Sequence, residues 1–382
     1  VLLYICDWLP PEFGAVGQLS LLFARERAAR GEDVVLAGLS RAGDAREVQP
    51  VGRGRLTIRR LRAGAYDRAN FRVRALWTAR TNLSMMWRLR GELRAADEIL
   101  FTGAPPFLLH FVVPLNLLLR KRLVYRITDF HPECLMAELG HVPWALRAFY
   151  RITLALRRQV HRFEVLGEDQ RIRLLEIGIP PERIVLKRDV SPVEIPEGTR
   201  PLAPPPELRG KCLLLYSGNF GVAHEHETFV EGYRLHHRQG TGRVGLWLNA
   251  TGARADLVEQ ALRREDLPVH RSRPAVLEAL PRLLVTPAAH LITLRDEFVG
   301  YALPSKVYAC IQSGRQVLYV GSARSDIHLL CTEGMDGGRY QRVDVGDAEG
   351  VARALERIAD SEAIRHESTQ ARHADTVGTD SV

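Results

Sequence analysis

The sequence predicts an α/β protein built from two doubly wound, Rossmann-like units, and three observations carry that expectation. Short apolar runs recur along the chain, each followed by a turn and a helix-spaced segment, as buried parallel strands and their crossover helices require. A stretch over 191–211, punctuated by Pro192, Pro196, Pro201, Pro204, Pro205 and Pro206, interrupts the alternation. The same alternation then restarts, and 382 residues exceed what one ordinary core accommodates.

Residues 1–6 read as a first buried strand running into the loop 7–17. Val16, Leu19, Leu22 and Phe23 follow at helical spacing up to Gly31, and 34–39 returns as a strand, which completes a βαβ unit. Residues 99–102 and 123–127 read as later buried strands, 160–166 as a less apolar one, and 170–177 as a helix. Beyond the prolines, strands are expected at 212–216, 244–249, 290–294 and 316–320. Helices are expected at 228–237, 255–263, 275–283 and 306–313. The N-terminal unit is thus expected at 1–195 and the C-terminal unit at 209–360. Residues 361–382, rich in Ser, Thr, His, Asp and Arg, are expected to form a disordered tail. Two doubly wound units imply a cleft between them, with ligands outside the carboxyl ends of the strands.

Composition excludes several classes. With 46% apolar and 26% charged residues the chain is globular rather than disordered. Cys6, Cys134, Cys212, Cys310 and Cys331 are far apart and lack any CxxC spacing, so reduced thiols are expected and neither a zinc clamp nor a disulfide framework. The first residues carry neither a basic leader nor a small-residue cleavage site, which leads to the expectation of a cytoplasmic protein. Residues 99–119 approach bilayer length, but Pro105, Pro106, Pro114, Gly103, His110 and Asn116 break them into a strand, a turn and a buried helix. The net charge of +8 is concentrated: from Arg53 to Arg94 the only acids are Asp67 and Glu92, with Phe71, Trp77, Met85, Met86 and Trp87 interleaved. Such a surface attracts phosphates, on nucleic acid, anionic lipid or a lipid diphosphate. An arginine-rich, merely solvated face is an equal reading.

Four segments carry residues suited to chemistry. In the first turn, Gly14, Ala15 and Gly17 allow close backbone approach to a ligand at the start of a helix, or simply form a turn. In Tyr216-Ser217-Gly218-Asn219-Phe220-Gly221, the glycines expose backbone donors and Asn219 adds an amide, without the spacing of a dinucleotide fingerprint or a Walker loop. In the third segment a strand ends at Leu294, a loop carries Arg295, Glu297 and Gly300, and a helix begins after Pro304 at Ser305 with Lys306 in its first turn. A cation there opposes the helix dipole, so an anionic ligand held by Arg295 and Lys306 is one explanation. A pair between Lys306 and Asp296 or Glu297 is the other. The fourth segment places Asp129, His131 and Glu133 just past a buried strand, where any of them could orient or deprotonate a hydroxyl. Asp129 capping a turn and His131 bonding to backbone are the alternatives.

In this order the segments resemble the retaining family 4 glycosyltransferases of the GT-B fold, in particular the branch that builds bacterial surface polysaccharides. The most specific parts are Leu9-Pro10-Pro11-Glu12-Phe13-Gly14-Ala15, the Tyr216–Gly221 loop with Ala223-His224-Glu225, and Leu303-Pro304-Ser305-Lys306 with Tyr308 and Ser313-Gly314-Arg315. The resemblance implies an acceptor-binding first domain and a second that holds a nucleotide-sugar, such as a UDP-sugar. Gly218, Asn219, Phe220, Arg295, Glu297, Gly300, Pro304, Ser305 and Lys306 would surround that donor, and Gly14, Ala15 and Gly17 would close on it. It further implies catalysis without a bound metal or cofactor, retention of anomeric configuration, and a glycan or polyprenyl-diphosphate-linked acceptor rather than nucleic acid. The chain departs from the family where the paired glutamates of its E-x7-E motif would stand, at Tyr301 and Ala309, with Glu297 nearest to take over one role. Val222 and Ala223 replace residues that are often basic, Gln316 replaces a proline, and the return helix at the C-terminus is hard to see. A non-catalytic module of the same fold and a nucleotide-sugar 2-epimerase are the competing expectations. The basic 53–94 segment adds that of peripheral contact with an anionic membrane at the inner face of the cell.

Overall fold

The computed structural model describes residues 1–12, 14–64 and 71–377. The chain forms two compact units, Val1–Pro192 with Gly300–Leu303, and Val193–Val299 with Pro304 onward.

In the first unit β1 (Leu2–Trp8), α1 (Ala15–Ala29) and β2 (Asp33–Ser40) are followed by the hairpin β3 (Ala45–Val51) and β4 (Gly54–Arg62). Next come α2 (Phe71–Arg88), α3 (Arg90–Ala95), β5 (Glu98–Thr102), α4 (Leu109–Leu119), β6 (Arg122–Ile127) and α5 (Glu133–Leu139). The unit continues through α6 (Trp144–Arg157), β7 (Arg162–Val165), α7 (Glu168–Glu176) and β8 (Ile184–Leu186). The sheet runs β3-β4-β2-β1-β5-β6-β7-β8 and is parallel except for β3. Successive strand residues are buried on opposite faces: Leu3, Ile5 and Phe101 join the core under α2 and α4, while Leu2, Tyr4 and Leu100 join the core under α1. This double burial explains why the strands read as continuous apolar runs.

The second unit contains β9 (Cys212–Asn219), α8 (Glu227–Gln239), β10 (Val244–Thr251), α9 (Ala253–Arg263), β11 (Val269–Ser272) and α10 (Leu280–Leu284). It ends with β12 (Ala289–Thr293), α11 (Lys306–Gln312), β13 (Gln316–Val320), α12 (Asp326–Gly334), β14 (Tyr340–Val343) and α13 (Ala348–Val377). Its strands are ordered β11-β10-β9-β12-β13-β14 and are all parallel.

Several elements differ from the sequence reading. The start of the basic 53–94 segment is strand β4, whose Leu56, Ile58 and Leu61 enter the core while its arginines face the surface. The helix expected over 275–283 begins only at Leu280, with Pro281 in its first turn, because the Ala275 amide is drawn to the Asn249 side chain at 3.1 Å. The expected disordered tail is instead helical through Val377, as part of α13; residues 378–382 lie outside the described residues. Val351, Ala354, Leu355, Ile358 and Ala359 repeat at i, i+3, i+4, i+7 and i+8 and bury one face, an amphipathic pattern the sequence reading missed. Close packing on α8 requires Gly232, where an added Cβ would stand 2.4 Å from that of Val351. Among the described residues no helix is long and apolar enough to cross a membrane, and 99–119 resolves into β5, a turn and α4.

Candidate functional site

In the second unit the chain leaves β9 toward β10 and later returns on the opposite side at β12, so the order reverses between β9 and β12. The carboxyl ends flanking such a reversal are where open α/β sheets receive ligands. There the loop after β9 is fixed almost entirely by backbone. The Phe220 amide donates to Thr251 O at 2.6 Å, Arg254 donates to Phe220 O at 3.1 Å, and Arg295 donates to Ala223 O at 2.9 Å. His224 Nδ1 lies 2.7 Å from Thr293 O at the end of β12, and Tyr216 donates its hydroxyl to Asn219 O at 3.1 Å. Gly218 has φ +118°, a conformation that a side chain would strain. Gly252, with φ +103°, lets the loop close, since a Cβ there would meet Phe220 O at 2.5 Å and Asn219 Oδ1 at 2.7 Å.

Lys306 enters this loop from the first position of α11. A Cβ built on Gly218 would lie 3.8 Å from its Cε and 3.9 Å from its Nζ. The Nζ is buried without a hydrogen-bond partner and stands 3.2 Å from the centre of the Tyr216 ring. That ring stacks on Phe220 at 4.0 Å and 11°, and the edge of His224 meets both. Burial pulls the Lys306 ammonium down to about 7, Cys310 opposing it slightly. Burial, then the charge of Lys306, pulls His224 down to about 3, so His224 is a neutral brace at physiological pH.

The pairing of Lys306 with Asp296 or Glu297, weighed from sequence, is absent. Arg295 takes Glu297 instead, at 3.5 Å, and its guanidinium also reaches Val222 O at 3.5 Å and covers the Phe298 ring. Gly218, Asn219, Arg295 and Lys306 are therefore gathered around one loop, with Asn219 exposed and Pro304 and Ser305 half-buried beside it. Phe220 is fully buried, which corrects its placement as a ligand contact: its ring supports Tyr216. Gly300 is also corrected. It belongs to the first unit, where a Cβ would strike Arg173 Cγ at 2.7 Å and Asp169 O at 2.8 Å, so packing on α7 demands the glycine. Of the two positions lacking the family's glutamates, Ala309 is buried, and Tyr301 accepts from the Phe130 amide at 2.9 Å under the Arg173 guanidinium.

In the first unit, Gly14 is an extended residue at the start of α1, and Gly17 is explained by packing, because a Cβ there would fall 1.8 Å from Trp8 O. The side chain of Ala15 and all of Phe13 lie outside the described residues. Asp129 forms an antiparallel bridge with Ala302, and burial raises its carboxyl to about 6. The His131 ring lies 5.7 Å from that of Phe107. Glu133 is removed from the reactive candidates, because its buried carboxylate grips the buried Arg157, which also donates to His131 O at 3.2 Å. Sequence reasoning missed the parts played by Tyr216, His224 and Gly252; an aromatic residue two places before the loop glycine was the available signal. Among the described residues no group of three or more His, Cys, Asp or Glu is arranged to hold a metal ion.

Two parallel-sheet units, the second with a cation at its strand reversal, define an α/β protein of the glycosyltransferase GT-B fold. Solved structures bear this out across nearly the whole chain. Trehalose-6-phosphate from E. coli bound with UDP-2-fluoro glucose matches at TM-score 0.64 and 13% identity, over 94% of this chain and 90% of that one. Anabaena HepE in complex with UDP and glucose matches at TM-score 0.61 and 10% identity, over 99% of each chain. WaaG, a glycosyltransferase involved in lipopolysaccharide biosynthesis, matches at TM-score 0.61 and 14% identity, over 98% and 94%. No family model matches the chain, and no curated protein matches it in sequence.

Proposed function

We propose that this protein is a retaining glycosyltransferase that moves a hexosyl or acetamidohexosyl group from a UDP-sugar to a lipid-linked or growing glycan in bacterial surface polysaccharide synthesis. The observation that carries the reading is the buried Lys306 ammonium, without a hydrogen-bond partner, against Gly218 at the end of β9. An uncompensated buried cation is costly, and an anion arriving beside it would satisfy the charge and accept from the side chain of the exposed Asn219. A diphosphate leaving group develops that charge as the sugar departs, so groups fixed in advance favour departure over the bound ground state. Lys306 and Arg295 supply the positive charge and Gly218 and Asn219 the hydrogen bonds, with no metal in the scheme. UDP or UDP-sugars in the HepE and trehalose-6-phosphate structures support uridine as the base. Residues 1–195 receive the acceptor in this reading, with Asp129 and His131 as the groups that orient or deprotonate its hydroxyl, and the protein works at the cytoplasmic face of the membrane.

The test is titration with UDP and a panel of nucleotide-sugars, followed by the same titration of Lys306→Ala. Absence of binding, or binding indifferent to the substitution, overturns the proposal. The missing glutamates at Tyr301 and Ala309 favour a second reading, a donor-binding module without turnover. Transfer, or even slow donor hydrolysis, excludes that module, and product analysis with donor alone separates transfer from 2-epimerisation.

A further inference from the structure

The basic segment 53–94 is not one surface. Arg55 pairs with Asp33 at 2.9 Å, Arg59 with Glu92 at 3.0 Å, Arg60 with Glu47 at 3.2 Å, and Arg88 with Asp44. Met85 and Met86 are in the core, and the Trp77 indole donates to Gly64 O at 2.9 Å. The exposed arginines left include Arg80 on α2 and Arg90 and Arg94 on α3, and the exposed surface of α2 continues beyond the segment. Asn82 on α2 donates to Pro106 O at 3.0 Å just before α4, and His110 on α4 meets Thr153 on α6 at 2.9 Å and stacks on Phe149. The three helices therefore form one layer. α2 buries Thr78, Asn82, Met85 and Met86 and turns Leu76, Leu83 and Trp87 outward, on the opposite side of the helix. Leu118 on α4 and Trp144 on α6 are each 82% exposed, and Trp87 is 69% exposed. Single exposed apolar residues are ordinary, whereas large ones shared by three adjoining helices mark a surface that meets something. Arg80, Arg147 and Arg151 are exposed on the same layer, and α2, α4 and α6 contain no acidic residue at all. Among the described residues the nearest exposed acid by sequence is Glu138 on α5.

We propose that the outer face of α2, α4 and α6 docks on an anionic lipid bilayer, with the tryptophans and leucines at the headgroup level and the arginines on lipid phosphates. Charge complementarity selects this occupant. An apolar protein partner would be met by the leucines alone, while arginines without a single acid, set among tryptophans, match a negatively charged interface over acyl chains. The inference is independent of the transferase reading, because vesicle partition is measured without nucleotide.

The experiment is co-sedimentation of the full chain with vesicles of phosphatidylcholine, with and without phosphatidylglycerol, at low and high salt. Two variants are compared: Leu83→Ser with Trp87→Ser on α2, and Arg147→Glu with Arg151→Glu on α6. All four side chains are exposed, so melting should be unchanged. The wild type is expected to sediment with anionic vesicles and much less with neutral ones or at high salt. Each unit of charge near such a leaflet contributes about fivefold in partition, so two reversals, four charge units, should cost roughly several hundredfold. The α2 variant should lose roughly tenfold or more. No binding to anionic vesicles, equal binding to neutral ones, or wild-type binding by either variant overturns the proposal. So does a dimer that both variants dissolve while vesicles capture nothing, which would make a second copy the occupant.

Discussion

Lys306 Nζ lies 3.2 Å from the centre of the Tyr216 ring and makes no hydrogen bond, so a buried cation rests against a π face. A ring face returns only part of what water gives an ammonium. Lys306→Met should therefore raise stability by roughly 1–3 kcal/mol in urea denaturation. The same substitution should weaken UDP binding by at least about tenfold, as a lost charge-assisted contact to phosphate does. Opposite movement of the two measurements separates a binding cation from a structural one; a parallel fall would make Lys306 structural.

The same burial sets a pH signature. Lys306 releases its proton near 7 in the folded chain and near its usual 10.5 when unfolded. Between those values the unfolded chain holds the extra proton, so this group's contribution to stability rises with pH across the window. Below about 7 both states are charged and its cost is complete. The advantage of Lys306→Met over the wild type should accordingly be largest near pH 6 and shrink toward pH 10. Binding UDP-glucose should restore the ammonium, so calorimetry near pH 8.5 in buffers of different ionisation enthalpy should show proton uptake that Lys306→Met abolishes.

Much of the fold was legible because strands buried on both faces announce themselves as apolar runs, as 1–6, 123–127 and 316–320 do. The loop at Gly218, with Arg295 and Lys306, was legible because glycine and a cation are both misplaced there by local rules. The hairpin strand Gly54–Arg62 was hidden by arginines that alternate with Leu56, Ile58 and Leu61 and find acids elsewhere in the chain. Glu133 could not be assigned without Arg157, which is 24 positions away and invisible to local pattern.

That pair makes its own prediction. Arg157 is fully buried and Glu133 nearly so. Glu133→Gln leaves the guanidinium charged and uncompensated, which should cost about 3–5 kcal/mol in urea denaturation. Glu133→Gln with Arg157→Met removes the orphaned charge and should recover a large part of that loss. If the single variant loses less than about 1 kcal/mol, the pair does not anchor the turn before α5 and does not hold His131 O.

Helix α13 presents two different stretches to the same truncation experiment. From Val351 to Ala359 its inward residues are buried against α8 and the sheet, and Thr241 and Arg243 reach Glu356 and Asp360 on its outer side. Beyond Ser361 the described side chains are mostly exposed, and the ion pair between Arg365 and Glu362 is local, worth a few tenths of a kcal/mol. Ending the chain after residue 365 should leave urea stability within about 0.5 kcal/mol of the full chain, because no buried side chain among the described residues is lost. Leu355→Ala should cost about 2–5 kcal/mol, since a fully buried leucine leaves a cavity between α13 and its neighbours. Ending the chain after Asp347 strips the sheet of that whole apolar face and should leave the second unit unfolded, seen as loss of its near-ultraviolet dichroism. A stable, folded product from that last truncation would show that α13 lies on the second unit without holding it together.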